Sequence, residues 1–306
     1  MISKKQFNIL ALLTENRTKI SQRLIAAMTK MSLGAVNQTI RELTDMGYIN
    51  NGLITSNGLE ALEPYRVERA IFIAAGFGWR LAPITLNIPK PLIRVKGVRI
   101  IDSLLDAVIA AGIKEIYIVR GYLSELFDQL LDKYPMIKFI ENPHYIEANN
   151  ISSIVCAGNL LSNSYVLEAD LLLYNSKLIT KYQYESNYLG VYTDKTDDWC
   201  LYTDNGVVKK MSVGGENCYR MFGISYWTKE DGEKLANHIN HLYHSPGGKD
   251  LYWDQVALEY FIDQYNVYVR ECTFDDIIEI DTFDELKSLD KAYDVFPVTQ
   301  TPNSHR

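Results

Sequence analysis

The sequence predicts an α/β protein: a three-layer α/β/α domain on a mostly parallel mixed sheet, preceded by a small helical domain with a β-wing. Three observations predict it. From residue 67 onward, short apolar runs alternate with stretches of helical periodicity, the pattern of a parallel sheet covered on both faces. The first of these runs breaks into a glycine-containing loop followed by cations, which places an anion-binding crevice at a strand's carboxyl end. Residues 1–66 have a different texture, with apolar residues at helical spacing and one Asn51-Gly52 hairpin signal. The domains are therefore expected at 1–66 and 67–306, with Pro64 and Arg66 to Arg69 as the linker.

Within residues 1–66, Phe7, Ile9, Leu10, Leu12 and Leu13 mark a first helix, and a second runs from Ser21 to Thr29. Ser32 is the N-cap of a third, in which Leu33, Val36, Ile40, Leu43 and Met46 recur at helical spacing until Gly47. Asn51-Gly52 turns a hairpin, and Thr55 or Ser56 opens a fourth helix. Three helices, a wing and a helix resemble the winged helix-turn-helix of MarR-type regulators. That resemblance implies DNA as a partner, read by Asn37, Gln38 and Arg41 on the third helix. This part carries eight Lys and Arg against five Asp and Glu, a net of +3, while 23 basic against 33 acidic residues leave the remainder at −10. The charge fits DNA, but a single arginine on the recognition face is few for phosphate binding, and a docking or dimerisation module is the alternative.

The second domain opens with Ile71, Phe72 and Ile73, a buried-strand pattern. Ala74, Ala75, Gly76 and Gly78 follow, small residues that let backbone N–H groups approach an anion; Arg80 and Lys90 add positive charge. The loop has no lysine directly after its last glycine, and Leu81 stands where a dinucleotide fingerprint needs its third glycine. A helix is expected from Ile100 to Ala111, a strand at Ile116–Val119, a helix from Ser124 to Lys133 and a strand at Ile137–Ile140. Asn149, Asn150, Ser152 and Ser153 open a helix reaching Leu161, and a strand at Tyr165–Leu167 delivers Glu168-Ala169-Asp170. Turns at Asn205-Gly206 and Gly214-Gly215 make Tyr188–Trp227 an antiparallel extension. Helices at Glu230–Tyr243 and Asp254–Tyr265, a strand at Ile277–Ile280 and a capping box from Thr282 to Glu285 complete the domain. The tail from Phe296 is expected to fray.

Composition narrows the class. Of 306 residues, 47% are hydrophobic and 23% charged, enough for a sizeable core and against disorder. The net charge of −7 does not indicate a global polyanion binder. Cys156, Cys200, Cys218 and Cys272 are scattered without Cys-x-x-Cys spacing, which fits reduced thiols and neither a zinc site nor a disulfide frame. The N-terminal apolar stretch is short and no cleavage site follows it; no run approaches the ~20 apolar residues that span a bilayer. A cytoplasmic protein without a membrane partner is expected.

Asp170 sits at one strand end, and Glu279 and Asp281 at another. Carboxylates from separate strands suit a divalent cation such as Mg²⁺, which takes one or two protein carboxylates plus phosphate oxygens; alone, each would be an ordinary loop or cap residue. Gly121, Tyr122, Asn150 and Ser153 offer backbone and short polar groups to a nucleobase or ribose, with turn and cap chemistry as the alternative. Trp199, Tyr226, Tyr252 and Trp253, with Asp254, suggest an aromatic site for a cationic second substrate. In a chain with 21 tyrosines and 4 tryptophans, core packing is the competing reading.

The loop with its Arg80, Pro83, Thr85 and Pro89-Lys90 resembles that of nucleotidyltransferases with a Rossmann-like fold, which make nucleoside-diphosphate sugars and alcohols. The ordered set AAGFGWRLAPITLNIPKPL, GYLSELFD, Asn-Asn, Glu-Ala-Asp, Asp-Asp-Trp, GISYW, LYWD and EIDTFDEL is similar to the bacterial choline-phosphate cytidylyltransferases of the LicC type, over residues 69 to 292. That resemblance implies an Mg²⁺-dependent transfer from CTP to phosphocholine, giving CDP-choline and pyrophosphate for decorating surface polysaccharides. It implies that Gly76, Gly78 and Arg80 hold the β- and γ-phosphates. Lys90 would stabilise the α-phosphate and the incoming phosphate of the second substrate, and Asp170 and Asp281 would hold the metal. Trp79 departs from the usual Ser or Thr, and the N-terminal domain lies outside the minimal enzyme. A sugar 1-phosphate, phosphoethanolamine or an aminoalkyl phosphonate is the alternative second substrate. A DNA-binding regulator with a ligand-sensing second domain is the alternative class.

Overall fold

The structure, a computed structural model, describes residues 1–16 and 18–295, so the expected fraying of the tail from Phe296 lies outside the described residues. The chain divides into two compact units, Met1–Val67 with Thr180–Glu185, and Glu68–Ile179 with Ser186–Arg306.

In the first unit, helices α1 (Lys4–Thr14), α2 (Gln22–Thr29) and α3 (Leu33–Asp45) each begin at a serine whose hydroxyl accepts a backbone N–H of the first turn. Strands β1 (Ile49–Asn50) and β2 (Leu53–Ile54) form the wing, turned by Asn51 at φ 51° and Gly52 at φ 80°. Helix α4 (Ser56–Leu62) starts at Thr55. Ile9, Leu10, Val36, Leu43 and Leu62 are fully buried at its centre. Asn37, Gln38 and Arg41 stand exposed on α3, with Gln38 Nε2 donating to Glu42 Oε1 at 3.0 Å.

The unit boundary differs from the expected 66/67 division by including Thr180–Glu185. Backbone bonds from Val67 N to Lys181 O and from Gln183 N to Tyr65 O, both 2.9 Å, tie that segment in. Tyr184 stacks on Tyr65 at 5.2 Å and 12°, and meets Phe7 at 5.3 Å. Nothing in the local sequence around residue 182 signals this long-range pairing.

The second unit is built on a seven-stranded mixed sheet with helices. Its strands are β3 (Arg69–Ala74), β6 (Glu115–Arg120), β7 (Ile137–Glu141), β8 (Ser164–Glu168), β10 (Asn187–Asp204), β11 (Val207–Trp227) and β12 (Tyr268–Glu271), in the order β10-β12-β11-β8-β3-β6-β7. Two short ribbons, β4 (Arg94–Val95) with β5 (Val98–Arg99) and β9 (Leu171–Leu173) with β13 (Ile277–Glu279), flank it. The β7–β6–β3–β8 block is parallel throughout, and β11 joins β8 antiparallel. The expected antiparallel extension is the long β10/β11 hairpin, turned by Asn205 at φ 50° and Gly206 at φ 80°.

Helices α5 (Ile100–Ala110), α6 (Ile151–Ala157), α7 (Lys229–Tyr243), the single turn α8 (Trp253–Gln255) and α9 (Phe283–Leu289) complete the unit. Several expectations are corrected: Gly214-Gly215 lies within β11 and not at a turn, and the helix expected to reach Leu161 ends at Ala157, followed by a 3₁₀ turn. The helix expected over Ser124–Lys133 is a 3₁₀ run, Ser124–Leu130. The expected Asp254–Tyr265 helix continues α8 only as a π turn and then a 3₁₀ turn, because Phe261 at φ −122° breaks it. Strand β12 was not expected: its four residues, YVRE, contain only two apolar ones and show no alternation. No helix among the described residues is long and apolar enough to cross a membrane.

Candidate active site

The glycine loop leaves β3 at the carboxyl edge of the parallel block, as the small residues predict. Gly78 has φ +65°, and a Cβ there would stand 3.1 Å from Lys90 Cβ and 3.2 Å from Thr85 Cγ2, so conformation and space both call for glycine. Thr85 Oγ1 donates to Gly78 O at 3.0 Å and holds the turn. At Gly76 no atom lies within 4 Å of a built Cβ, so the loop's outer face is open beside the backbone of Ala74 and Ala75.

Pairing of β9 with β13 sets Leu171 opposite Glu279, which brings Asp170 and Asp281, each just outside its strand, to the same end of the ribbon. Lys90 stands between them. Its Nζ lies 2.8 Å from Asp170 Oδ2 and 3.0 Å from Asp281 Oδ1, and the residue is buried. Burial alone would lower the ammonium's pKa, but Asp170 and Asp281 outweigh it and raise the pKa above the ordinary lysine value, so the group stays charged. Arg80 donates to the same Asp281 Oδ1 at 2.7 Å while its side chain remains 67% exposed.

Two residues that sequence reasoning left unassigned complete the acidic cluster. Glu168, Asp170 and Glu279 form one group, and Asp198, Glu279 and Asp281 a second, each with carboxylate oxygens within 4.8 Å of one another. Glu168 stands in the Glu-Ala-Asp string and Asp198 in Asp-Asp-Trp, so both motifs were visible, but only tertiary pairing shows that they meet. Arg220 contacts Asp198 at 2.6 Å and Glu279 at 3.9 Å. Burial and then the neighbouring charges of Asp170 and Asp281 push Glu279 up to about 8, and burial followed by Asp170 raises Glu168 well above the carboxylate range. Asp170 Oδ1 is buried and accepts no hydrogen bond. A partnerless carboxylate oxygen inside a cluster of like charges fits a divalent cation.

On the other side of the loop, Gly121, Tyr122, Leu123, Ser124, Glu141, Asn142 and Tyr145 line a cleft of about 550 Å³. Tyr122 N donates to Ala75 O at 3.1 Å and its hydroxyl to Thr85 O at 3.0 Å, which ties cleft and loop together. Asn150 and Ser153, expected as nucleotide contacts, are not among the residues that line this cleft. Asn150 Oδ1 accepts the Trp253 N–H at 3.0 Å, and the buried Ser153 hydroxyl accepts from Asn142 Nδ2 at 3.1 Å. They instead brace α6 and the start of α8.

Of the aromatic candidates, Trp199 and Tyr252 meet edge to face at 5.5 Å, with Tyr252 42% exposed. Trp199 follows Asp198 in β10, and its backbone N donates to Asp198 Oδ1 at 3.3 Å. The other three candidates are buried. Tyr226 is buried in β11 against Tyr165 at 5.8 Å. Trp253 is buried in a ring cluster with Trp227 at 6.1 Å and Tyr188 at 6.0 Å. Asp254 is buried and accepts the Tyr188 hydroxyl, so it is no surface counter-charge; burial pushes it up to about 6.

Comparison with known proteins agrees with this geometry. Residues 2–50 match the family model of winged helix-turn-helix DNA-binding domains, and residues 69–201 that of nucleotidyl transferases. A 2-aminoethylphosphonate cytidylyltransferase of Lancefieldella rimae is 35% identical, over 73% of this chain and 92% of the relative. A choline-phosphate cytidylyltransferase of Streptococcus pneumoniae is 34% identical, over 73% of this chain and 97% of the relative. The solved CTP:phosphocholine cytidylyltransferase of Streptococcus pneumoniae matches with a TM-score of 0.68 at 34% identity, covering 74% of this chain and 99% of that one.

Proposed function

This chain belongs to the cytidylyltransferase family of nucleotidyltransferases, and on that premise we propose that it joins CTP and phosphocholine to give CDP-choline and pyrophosphate. The observation that carries the choice of second substrate is the partly exposed Trp199–Tyr252 ring pair, with Trp199 next to Asp198 of the acidic cluster in the chain. A quaternary ammonium cannot donate N–H bonds, and ring faces next to negative charge hold it.

In this reading the cytosine nucleotide takes the cleft at Gly121 and Tyr122, and its phosphates lie along Ala74 to Gly78 with Arg80. A phosphocholine oxygen attacks the α-phosphorus, a new P–O bond forms as the bond to the bridging oxygen of pyrophosphate breaks, and pyrophosphate leaves with that electron pair. The attacking phosphate is already anionic near neutral pH, so no general base is required. Lys90 is placed to meet the charge that spreads over the α-phosphate. Asp170, Glu279 and Asp281, joined by Glu168 or Asp198, are the residues that would hold Mg²⁺. Bound there, Mg²⁺ would offset the triphosphate's charge and polarise its α-phosphate.

A second reading is 2-aminoethylphosphonate or another primary-amine substrate. The carboxylate cluster of Asp198, Glu279 and Asp281 favours it, since a primary ammonium wants hydrogen-bond acceptors. Pyrophosphate release from CTP with phosphocholine, phosphoethanolamine and 2-aminoethylphosphonate decides between them. Two ring contacts at roughly 0.5 to 2 kcal/mol each favour phosphocholine over phosphoethanolamine by about one to three orders of magnitude. Trp199→Ala is expected to raise KM for phosphocholine strongly and KM for CTP little. Equal efficiency on the substrates, or a loss that falls on CTP, would refute the aromatic assignment.

In the first unit, the exposed Asn37, Gln38 and Arg41 of α3 are proposed to read duplex DNA in the major groove.

A further inference from the structure

The phosphate loop carries two aromatic residues that the reaction leaves unused. Trp79 is 64% exposed and stacks on Phe77 at 4.9 Å and 19°. Phe77 in turn meets Tyr122 at 4.9 Å and Tyr145 at 5.3 Å, both in tilted contact. Tyr122 and Tyr145 line the cleft of about 550 Å³. Tyr145 also covers Gly121 so closely that a Cβ there would stand 2.7 Å from its ring. A continuous row of rings therefore runs from the tip of the phosphate loop to the wall of the cleft.

A loop with Gly76 and Gly78 within three residues is conformationally loose, and ordering it on a ligand costs affinity. Ring contacts that hold its tip before the ligand arrives lower that cost. We propose that Phe77 is a positioning residue which couples the nucleotide cleft to the phosphate loop, with Trp79 as the outer plate of the same stack. This inference rests on reading the cleft as the nucleotide site. It predicts that the loop responds to occupancy of the cleft and that loss of the Phe77 ring falls on the nucleotide alone.

The test uses the full chain. Phe77→Ala is expected to raise KM for CTP on the order of tenfold, the effect of losing two or three ring contacts, and to leave KM for phosphocholine unchanged. Tryptophan fluorescence gives a readout independent of turnover. CTP should change the emission of wild type, Trp79→Phe should identify Trp79 as the source, and Phe77→Ala should move the titration midpoint up by the same factor. Phe77→Tyr should restore both. If Phe77→Ala does not fold, Phe77→Leu keeps the apolar volume without the ring faces and should show the same split. An unchanged KM for CTP, an equal rise for both substrates, or a fluorescence midpoint that does not move overturns the coupling. If wild type releases no pyrophosphate from CTP, the substrate reading fails instead, and the same titration with ATP, GTP and UTP decides the coupling alone.

Discussion

Asp170 and Asp254 show how burial assigns opposite tasks to the same side chain. Asp170 keeps one oxygen on Lys90 at 2.8 Å and leaves the other without a partner. Asp170→Asn removes one charge from the cluster proposed to hold a divalent ion, so turnover is expected to fall by several orders of magnitude while the thermal transition persists. Pyrophosphate release beside a melting curve checks this; near-normal kcat would remove Asp170 from the mechanism. Asp254 instead braces the core under Tyr252. Its carboxyl is raised by burial from an ordinary 3.8 to about 6, while the Tyr188 hydroxyl works the other way. Below pH 3.8 both folded and unfolded chains hold this proton. As pH rises to about 6 the unfolded chain has released it and the folded chain has not, so stability is lost across that window. The loss is on the order of 3 kcal/mol. Asp254→Asn keeps an acceptor for Tyr188 and should abolish this component. Urea unfolding of both proteins from pH 4 to 7 should show their stability difference changing up to about pH 6 and constant above it; a difference constant throughout contradicts the assignment.

Among elements, β11 and the start of α9 help to place the carboxylates that the β9/β13 ribbon brings together. Gly223 in β11 lies against Glu168, and a Cβ there would stand 2.1 Å from Glu168 Oε2. That clash is with a side chain already enclosed by the sheet, so Glu168 must move or the strand must shift. Gly223→Ala is therefore expected to lower both kcat and melting temperature, with the activity loss persisting at temperatures where the variant is fully folded. Wild-type activity in that variant would show that Glu168 is not held against the reacting groups. At α9 the expected capping box forms, and Glu285 accepts the N–H groups of both Asp281 and Thr282 at 2.8 Å. The cap thus fixes the backbone of a candidate metal ligand as well as the helix start.

At the scale of the whole molecule, every candidate transferase residue belongs to the second unit, which supports activity of residues 67–306 alone. Such a fragment retains Tyr184 without Phe7 and Tyr65, the rings it packs with, and Tyr182 without the cluster that buries it, so it should be less soluble than the full chain. It is expected to release pyrophosphate from CTP with unchanged KM but to lose binding to the gene's own promoter DNA. The full chain should retain that binding at low salt and lose it steeply as salt rises. A soluble, folded fragment without activity would place the winged helix within the catalytic machinery. A full chain that ignores DNA at low salt would favour a docking role for α3.

Local chemistry made much of this legible in the sequence. The serine caps, the Asn-Gly turns, the glycine loop and the Thr282 capping box depend on neighbours a few residues away, and each formed as its residue types require. Asp170, Asp281, Arg80 and Lys90 could be named because they end strands or follow the loop, and the fold gathers them around one point. What the sequence left open depends on residues far apart in the chain. Glu168 and Asp198 joined the cluster through the pairing of β9 with β13 and the reach of the β10/β11 hairpin. Tyr226, Trp253 and Asp254 carry the residue types of a cation site, yet sheet and helix packing buried them. Thr180–Glu185 joined the first unit through backbone bonds and tyrosine stacking with residues more than a hundred positions earlier. Composition tells which side chains can bind a cation, a phosphate or a ring; only tertiary packing decides which of them remain open to do so.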